Sequence, residues 1–281
     1  MIAITGASGL IPRSASEALA RLGADFRLIA RDPTRSIPGS SVVLADLDKP
    51  ETLGPALAGV DSLLLVTNAS PGMVTQHRNA LAAARAAGVR KVVRISAWGA
   101  RVDSPVALGR WHAELDAAFF ASGLTYTSLQ PHGFMQNLLG YAASVKAEGA
   151  VYAPLGQGRV CYIDSRDIGA VAAAALVESK WDNSSLELTG RVAFSYEDLV
   201  VTLAEMLHRP VRYVDVSPDT AKASMLASGY PPWLVDDLLT LSRFYAANLA
   251  STPTNTVERV LGRPPAALGA FLAENRGLFS A

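Results

Sequence analysis

The sequence is short of cysteine, of net charge and of long apolar runs, and each shortage removes a class of protein. A single cysteine, Cys161, excludes an internal disulfide and a cysteine-based zinc site. Its 25 basic side chains balance 25 acidic ones with no Lys/Arg run, so the footprint of a nucleic-acid binder is missing. No stretch of about 18 apolar residues is present, which speaks against a membrane-spanning helix. Met1 stands one residue before the first apolar run, so no signal peptide is expected and a cytoplasmic location is. Repeats, low-complexity tracts and long linkers are also missing. What remains is a chain of 281 residues, half of them hydrophobic, enough for one large α/β domain with a smaller appendage.

The chain opens with the β-forming run Ile2-Ala3-Ile4, passes into Thr5-Gly6-Ala7-Ser8-Gly9, and continues with Ala15, Ala18, Leu19 and Leu22 at helical spacing. Strand, glycine turn and helix suit a dinucleotide pyrophosphate. Glycines let the backbone approach the phosphates, and a helix N-terminus offers free N–H groups. Gly6, Ser8, Gly9, Leu10 and Ile11 are therefore the expected phosphate contacts. The place of a third glycine holds Pro12. A proline in the first helical turn costs little, but it withholds an N–H and adds bulk near the pyrophosphate.

Apolar runs follow at 26–30, 42–45, 62–66, 92–96 and 126–129, with alanine-rich helical stretches such as 78–87 and 106–121 among them. Gly23, Gly59, Gly88 and Gly123 punctuate helix ends, and Ser104 with Pro105 reads as the start of the 106–121 helix. Strands apolar on both faces and separated by helices predict a doubly wound parallel sheet. Beyond residue 131 the rhythm changes. A helix is expected over 133–147, a loop or hairpin over 151–160, strand then helix over 161–164 and 166–178, and a strand over 185–188. Helices are expected at 195–208, 217–229, 232–249 and 264–275, with a short strand at 211–216. The expected division is a nucleotide-binding part, 1–133 and 157–192, and a smaller, mostly helical substrate-side part, 134–156 and 193–281.

An acid ending the second strand accepts hydrogen bonds from the ribose of NAD. Here Arg31 takes that place, with Arg35 a helical turn on, and a guanidinium suits a 2′-phosphate. NADP(H) is the expected cofactor, while Asp32 keeps NAD in view. The third strand ends in Asp46-Leu47-Asp48, where Asp46 and Leu47 pass the adenine and Asp48 serves as a helix cap.

Thr5-Gly-Ala-Ser-Gly, Ala30-Arg31-Asp32-Pro33 and Ala45-Asp46-Leu47 together resemble the opening of the NmrA-like group of atypical short-chain dehydrogenases. The run from Ser122 to Asn137 is similar to that group's SGLxYTxLRPxxFMxN signature, and Asp164-Ser-Arg-Asp167-Ile, Leu188-Thr-Gly190 and Thr256-Val-Glu resemble its later segments. The resemblance implies a Rossmann fold. It also implies a nicotinamide lying across Thr67 and Asn68, Ser96, and Gln130, Pro131 and Phe134. Gln130 stands where the group usually has arginine.

Ser96 occupies the position of the catalytic-strand serine in short-chain dehydrogenases, yet no Tyr-x-x-x-Lys pair accompanies it; Tyr141 and Lys146 are five apart. In plant reductases of the isoflavone-reductase kind a lysine lies fifteen residues before the matching threonine. Counting back from Thr127 reaches His112, the expected acid or ribose ligand. His132 is a second candidate acid. His77 and His208 read as structural, and Glu114 and Asp116 as solvent-facing or as partners of a base. Trp98, Trp111, Met135, Asn137, Tyr141, Tyr152 and Trp233 are expected around a flat substrate.

The function this implies is NADPH-dependent hydride transfer to a quinone, enone or similar conjugated or carbonyl compound, with no metal. A non-catalytic NADP(H) sensor acting through a protein partner is the alternative, and a transient use of the cofactor by an epimerase- or dehydratase-like enzyme is a third. The expected partner is a small-molecule substrate, without nucleic acid or membrane, and a homodimer is compatible with the sequence.

Overall fold

The structure is a computed structural model that describes residues 1–32, 34 and 40–280. Arg35 and Pro33 lie outside the described residues. In chain order the nucleotide half runs β1 (Ile2–Thr5), α1 (Leu10–Arg21), β2 (Phe26–Ala30), β3 (Ser41–Leu44), α2 (Leu53–Leu57), β4 (Ser62–Leu65), α3 (Met73–Ala86), β5 (Lys91–Ile95), α4 (Ala107–Phe120) and β6 (Thr125–Pro131). It is followed by α5 (Ala142–Glu148), β7 (Ala150–Ala153), α6 (Ser165–Val177), β8 (Ser184–Leu188), α7 (Tyr196–Leu207) and β9 (Arg212–Asp215). The chain ends with α8 (Pro218–Ala227), α9 (Pro232–Ala246), α10 (Thr256–Leu261), α11 (Leu268–Glu274) and α12 (Arg276–Phe279).

Among the described residues seven strands form one parallel sheet in the order β3-β2-β1-β4-β5-β6-β8. Strand alternation sorts its two faces. Ile2 and Ile4 join Leu28, Leu64, Val93 and Leu129 beneath α1 and α6, whereas Ala3 joins Ile29, Leu63, Leu65 and Val92 beneath α2, α3 and α4. Both faces are covered, which is why these strands read as unbroken apolar runs. Each aliphatic side chain withdrawn from water this way contributes about 1.5–3 kcal/mol.

The chain reverses its winding between β1 and β4, and a crevice opens there at the strands' carboxyl ends. Thr5 ties the two strand ends together: its hydroxyl donates to the Val66 carbonyl and accepts from the Val66 amide, both at 2.8 Å. Behind the crevice α1 and α6 pack closely at Gly169. A Cβ there would meet Ser14 Cβ at 2.5 Å and the Ala15 nitrogen at 2.7 Å.

Several expectations are corrected. The helix expected from 106 is not capped by Ser104, whose hydroxyl accepts only from the Val106 amide at 3.3 Å. Its cap comes from α9: the Asp237 carboxylate accepts from the amides of Ala107 at 2.7 Å and Leu108 at 2.9 Å. Asp48 caps no helix and instead accepts from Gln76. The stretch 133–147 is a 3-10 turn, Met135–Tyr141, followed by α5. Residues 161–164 hold only a bridge between Ile163 and Phe134. Instead of a hairpin, 151–160 begins with β7, which pairs in parallel with distant β9 as a second small sheet. From the expected smaller part, Val257 of α10 packs into the core beneath α1 and α6.

Candidate functional site: a cleft at the carboxyl ends of the strands

A cleft of ≈ 680 Å³ lies at the carboxyl ends of β4, β5 and β6. One end is the turn into α1, where Gly9, Leu10, Ile11 and Pro12 line it. Gly6 starts that turn with φ 71°, and a Cβ on it would stand 2.9 Å from the Val66 carbonyl oxygen. Gly9 begins α1 in extended conformation and no side chain caps the helix, so its first amides stay open to a ligand. Pro12 gives up an amide that has no intrahelical partner anyway, and it forms part of the wall. The residues present thus fit a dinucleotide pyrophosphate.

The cleft continues past Thr67 and Asn68, Ser96 to Trp98, and Pro131 to Phe134. It ends between α4 and α9, on Leu108 and His112 from one helix and Leu241, Phe244 and Tyr245 from the other. Asn137 and His132 also line it. Of the expected cofactor contacts, Gly9, Leu10, Ile11, Thr67, Asn68, Ser96, Pro131 and Phe134 are brought together on this surface. Ser8 is exposed in the turn, and Asp46, whose carboxylate accepts from the Asp48 amide at 3.1 Å, stands with Leu47 beyond β3. Arg31 is exposed at the end of β2, with no ion pair among the described residues.

Five expected substrate residues do not face the cleft. Met135 is 2 % exposed within the core of the smaller part. Tyr141 pairs its hydroxyl with that of Tyr196 at 3.2 Å. Trp111 and Trp233 pack against each other at a tilt, with centroids 5.5 Å apart. Tyr152, also expected there, bonds to Glu148 on its own surface. Gln130 points away too, donating to Asp116 at 3.4 Å.

Beneath the cleft floor lies a group that the sequence reading missed. Arg94 is completely buried in β5. Its Nε donates to Tyr126 Oη at 2.9 Å, and its Nη2 donates to Ser96 Oγ at 3.0 Å, the His112 carbonyl at 3.0 Å and Asp116 Oδ1 at 2.5 Å. Asp116 also accepts from Ser96 at 2.7 Å, Ser128 at 2.9 Å and the Tyr126 hydroxyl. Asp116 is therefore no solvent-facing acid. Burial pushes its carboxyl up, but the Arg94 charge and the donated hydrogen bonds outweigh burial and hold it below the usual value. Ser96, with its proton given to Asp116, is a strut of this network.

The same arginine decides the state of His112. Arg94 Nη1 lies 3.1 Å from His112 Nδ1, and a guanidinium only donates, so Nδ1 accepts and the ring proton sits on Nε2. Burial, and then the Arg94 charge, lower the imidazole to about 3 against a weaker pull from Asp116. The expected acid is corrected to a neutral N–H donor on the cleft wall. His77 faces the back of Thr67, 2.8 Å from its hydroxyl, and burial likewise keeps it neutral. His132 stacks near Trp98, its Nε2 2.8 Å from Glu187. His208 ends α7 in left-handed conformation at the surface, a structural place.

A cleft across the winding reversal of a doubly wound sheet, opening on an uncapped helix N-terminus, defines a dinucleotide-binding Rossmann protein. The chain belongs to the NAD(P)H-binding family, whose model matches residues 6–179. It is 35% identical over 285 residues to an NAD(P)H azoreductase of Xenophilus azovorans, with 100% of each chain covered. It is 28% identical to quinone oxidoreductase 2 of Escherichia coli over 95% of this chain and 96% of that one. The crystal structure of the NADPH-dependent quinone oxidoreductase of Escherichia coli in complex with NADPH superposes with a TM-score of 0.90, covering 98% of this chain and 100% of that one at 28% identity.

Proposed function

We propose that this protein is an NADPH-dependent oxidoreductase that reduces quinones, azo dyes or similar conjugated acceptors. The observation that carries the reading is one continuous cleft. It joins the open N-terminus of α1 to a wall made of Trp98, His112, Asn137, Phe244 and Tyr245. The whole-length likeness to an azoreductase and to a quinone oxidoreductase supports the acceptor class. No helix among the described residues is long and apolar enough to cross a membrane, and no group of His, Cys, Asp and Glu among them suits a metal.

When bound, NADPH supplies the hydride. Gly6, Gly9 and the first amides of α1 hold the pyrophosphate, and Arg31 meets the 2′-phosphate. Thr67, Asn68, Pro131 and Phe134 confine the nicotinamide half. Trp98 and Tyr245, with centroids 6.4 Å apart, form an aromatic side against which a planar acceptor lies, and Asn137 adds an amide for its polar edge. Orientation and a dry wall are what such a reaction needs, because conjugated acceptors take up hydride readily.

The test follows the 340-nm absorbance of NADPH with a panel of quinones, enones and azo dyes. Turnover with at least one class is expected. Tight NADPH binding without turnover on any of them overturns the enzyme reading and leaves an NADP(H) sensor. Arg31→Ala is expected to weaken NADPH by about tenfold or more while leaving NADH nearly unchanged, and equal losses refute the 2′-phosphate role.

A further inference from the structure

Among the groups that the proposed reaction does not yet use, the Arg94–Asp116 pair is the most heavily constrained. Arg94 is wholly buried, its guanidinium also lies 5.9 Å from the Phe119 ring centroid, and Asp116 takes donors from Arg94 and Ser96 along and just after β5 and from Tyr126 and Ser128 on β6. Burying an ion pair gains little stability over an apolar pair of the same volume, so stability alone does not account for it. The position supplies a reason. One fork of the guanidinium holds Asp116, and the other reaches up to Nδ1 of His112, the residue that lines the cleft.

We propose that Arg94 is the positioning residue of this site: it grips Nδ1 of His112 from beneath and fixes the ring with its one proton on Nε2, offered to the acceptor. This rests on the reductase reading. Among the described residues the ring's hydrogen bond is made at Nδ1 alone and His112 lines the cleft, so the Nε2 donor is unspent. The arrangement also selects substrate. As the acceptor gains the hydride, NADPH is oxidised to NADP+, and the electron pair of the acceptor's double bond moves onto its oxygen or nitrogen. His112 stabilises that new anion by a hydrogen bond, and water delivers the proton afterwards. Acceptors that delocalise the charge, such as quinones, azo compounds and enones, are served by this. Isolated aliphatic ketones, which need a proton from a true acid, are not.

The charged and titratable groups acting on the ring are Arg94 on β5, Asp116 on its own helix α4 and the neutral His77 on α3. Burial, and then the Arg94 charge, keep the ring uncharged across the working range, so kcat should not titrate with it.

The experiment combines kinetics with nitrogen-15 NMR of the histidine-labelled protein. His112→Phe identifies the His112 signals by their loss and lowers kcat about 10²-fold, as removal of one anion-stabilising donor does. His112→Gln, a donor that carries no titratable proton, restores kcat to within about tenfold of the parent, with a flat profile from about pH 5 to 8. In the parent, Nδ1 resonates as an unprotonated nitrogen and Nε2 as a protonated one throughout that range. The double variant Arg94→Met/Asp116→Asn removes both buried charges together. Its His112 loses the fixed tautomer, so that the Nδ1 and Nε2 signals move towards a common average, and its kcat falls while the NADPH KM holds. Should the double variant not fold, Arg94→Lys keeps the cation for Asp116 but loses the second fork, and lowers kcat alone. A protonated Nδ1, or a titrating His112, in the parent overturns the proposal whether or not any acceptor turns over. So does a His112→Gln variant no better than His112→Phe, or unchanged kcat in the arginine variants. Failure of the reductase reading is separate: no acceptor oxidises NADPH, while the NMR result stands on its own.

Discussion

Asp237 offers the sharpest test of how the smaller part shapes the cleft. Its carboxylate is 7 % exposed and accepts from the first two amides of α4, at 2.7 and 2.9 Å, across a sequence separation of about 130 residues. The helix that donates this cap, α9, also brings Leu241, Phe244 and Tyr245 to the cleft. Asp237→Ala leaves two amides unpaired. A lost N-cap costs about 0.5–2 kcal/mol and a lost bond to a charged acceptor about 1.5–3, so about 2 kcal/mol is a fair expectation for the pair. For a chain of this size that corresponds to a fall in Tm of about 4–8 °C. If half of the loss loosens α9 over the cleft, the acceptor KM rises about fivefold. Asp237→Asn keeps one oxygen acceptor and should lose about half as much. Differential scanning calorimetry and steady-state kinetics with saturating NADPH read both effects. A Tm within about 1 °C of the parent together with an unchanged acceptor KM refutes the claim that this carboxylate ties α9 to α4.

Gly169→Ala puts a methyl 2.5 Å from Ser14 Cβ and 2.7 Å from the Ala15 nitrogen, so α1 and α6 must part. A loss of about 1–3 kcal/mol in urea unfolding and weaker NADPH binding are expected, and full stability contradicts the close packing. His112 is held near 3 in the fold against 6.5 free, so its contribution is complete above about pH 6.5 and is lost as pH falls towards 3. At pH 5 the unfolded chain gains about 2 kcal/mol from protonating this ring, and His112→Phe should lose that much less stability than the parent between pH 7 and 5. Parallel acid limbs for parent and variant in urea titrations show that the ring is not held neutral.

Much of the nucleotide half was legible because its signals are local. The glycine turn, the helix spacing of Ala15, Ala18 and Leu19, and strands apolar on both faces each follow from neighbours in sequence. The turn into α1 and the strand ends at Thr67, Ser96 and Pro131 therefore met in one cleft as expected. The substrate wall was less legible, because an aromatic at helical spacing carries no mark of which face will be covered. Met135 and Tyr141 turned into the second core, and Trp111 found Trp233. Arg94 passed unnoticed since a charge inside an apolar strand reads as an interruption until its partners are known.

The sequence by itself determined the sheet and the glycine turn, since unbroken apolar runs and backbone access at Gly6 are properties of short segments. Only the tertiary structure decided the chemistry of the cleft. Asp116 on α4 and Tyr126 and Ser128 on β6 converge on Arg94, and Asp237 reaches α4 from the far end of the chain. Histidine's free value lies so near neutrality that its charge follows whatever surrounds it. For His112 that surrounding is a dry wall with a cation behind it, and the residue expected as an acid is a neutral donor.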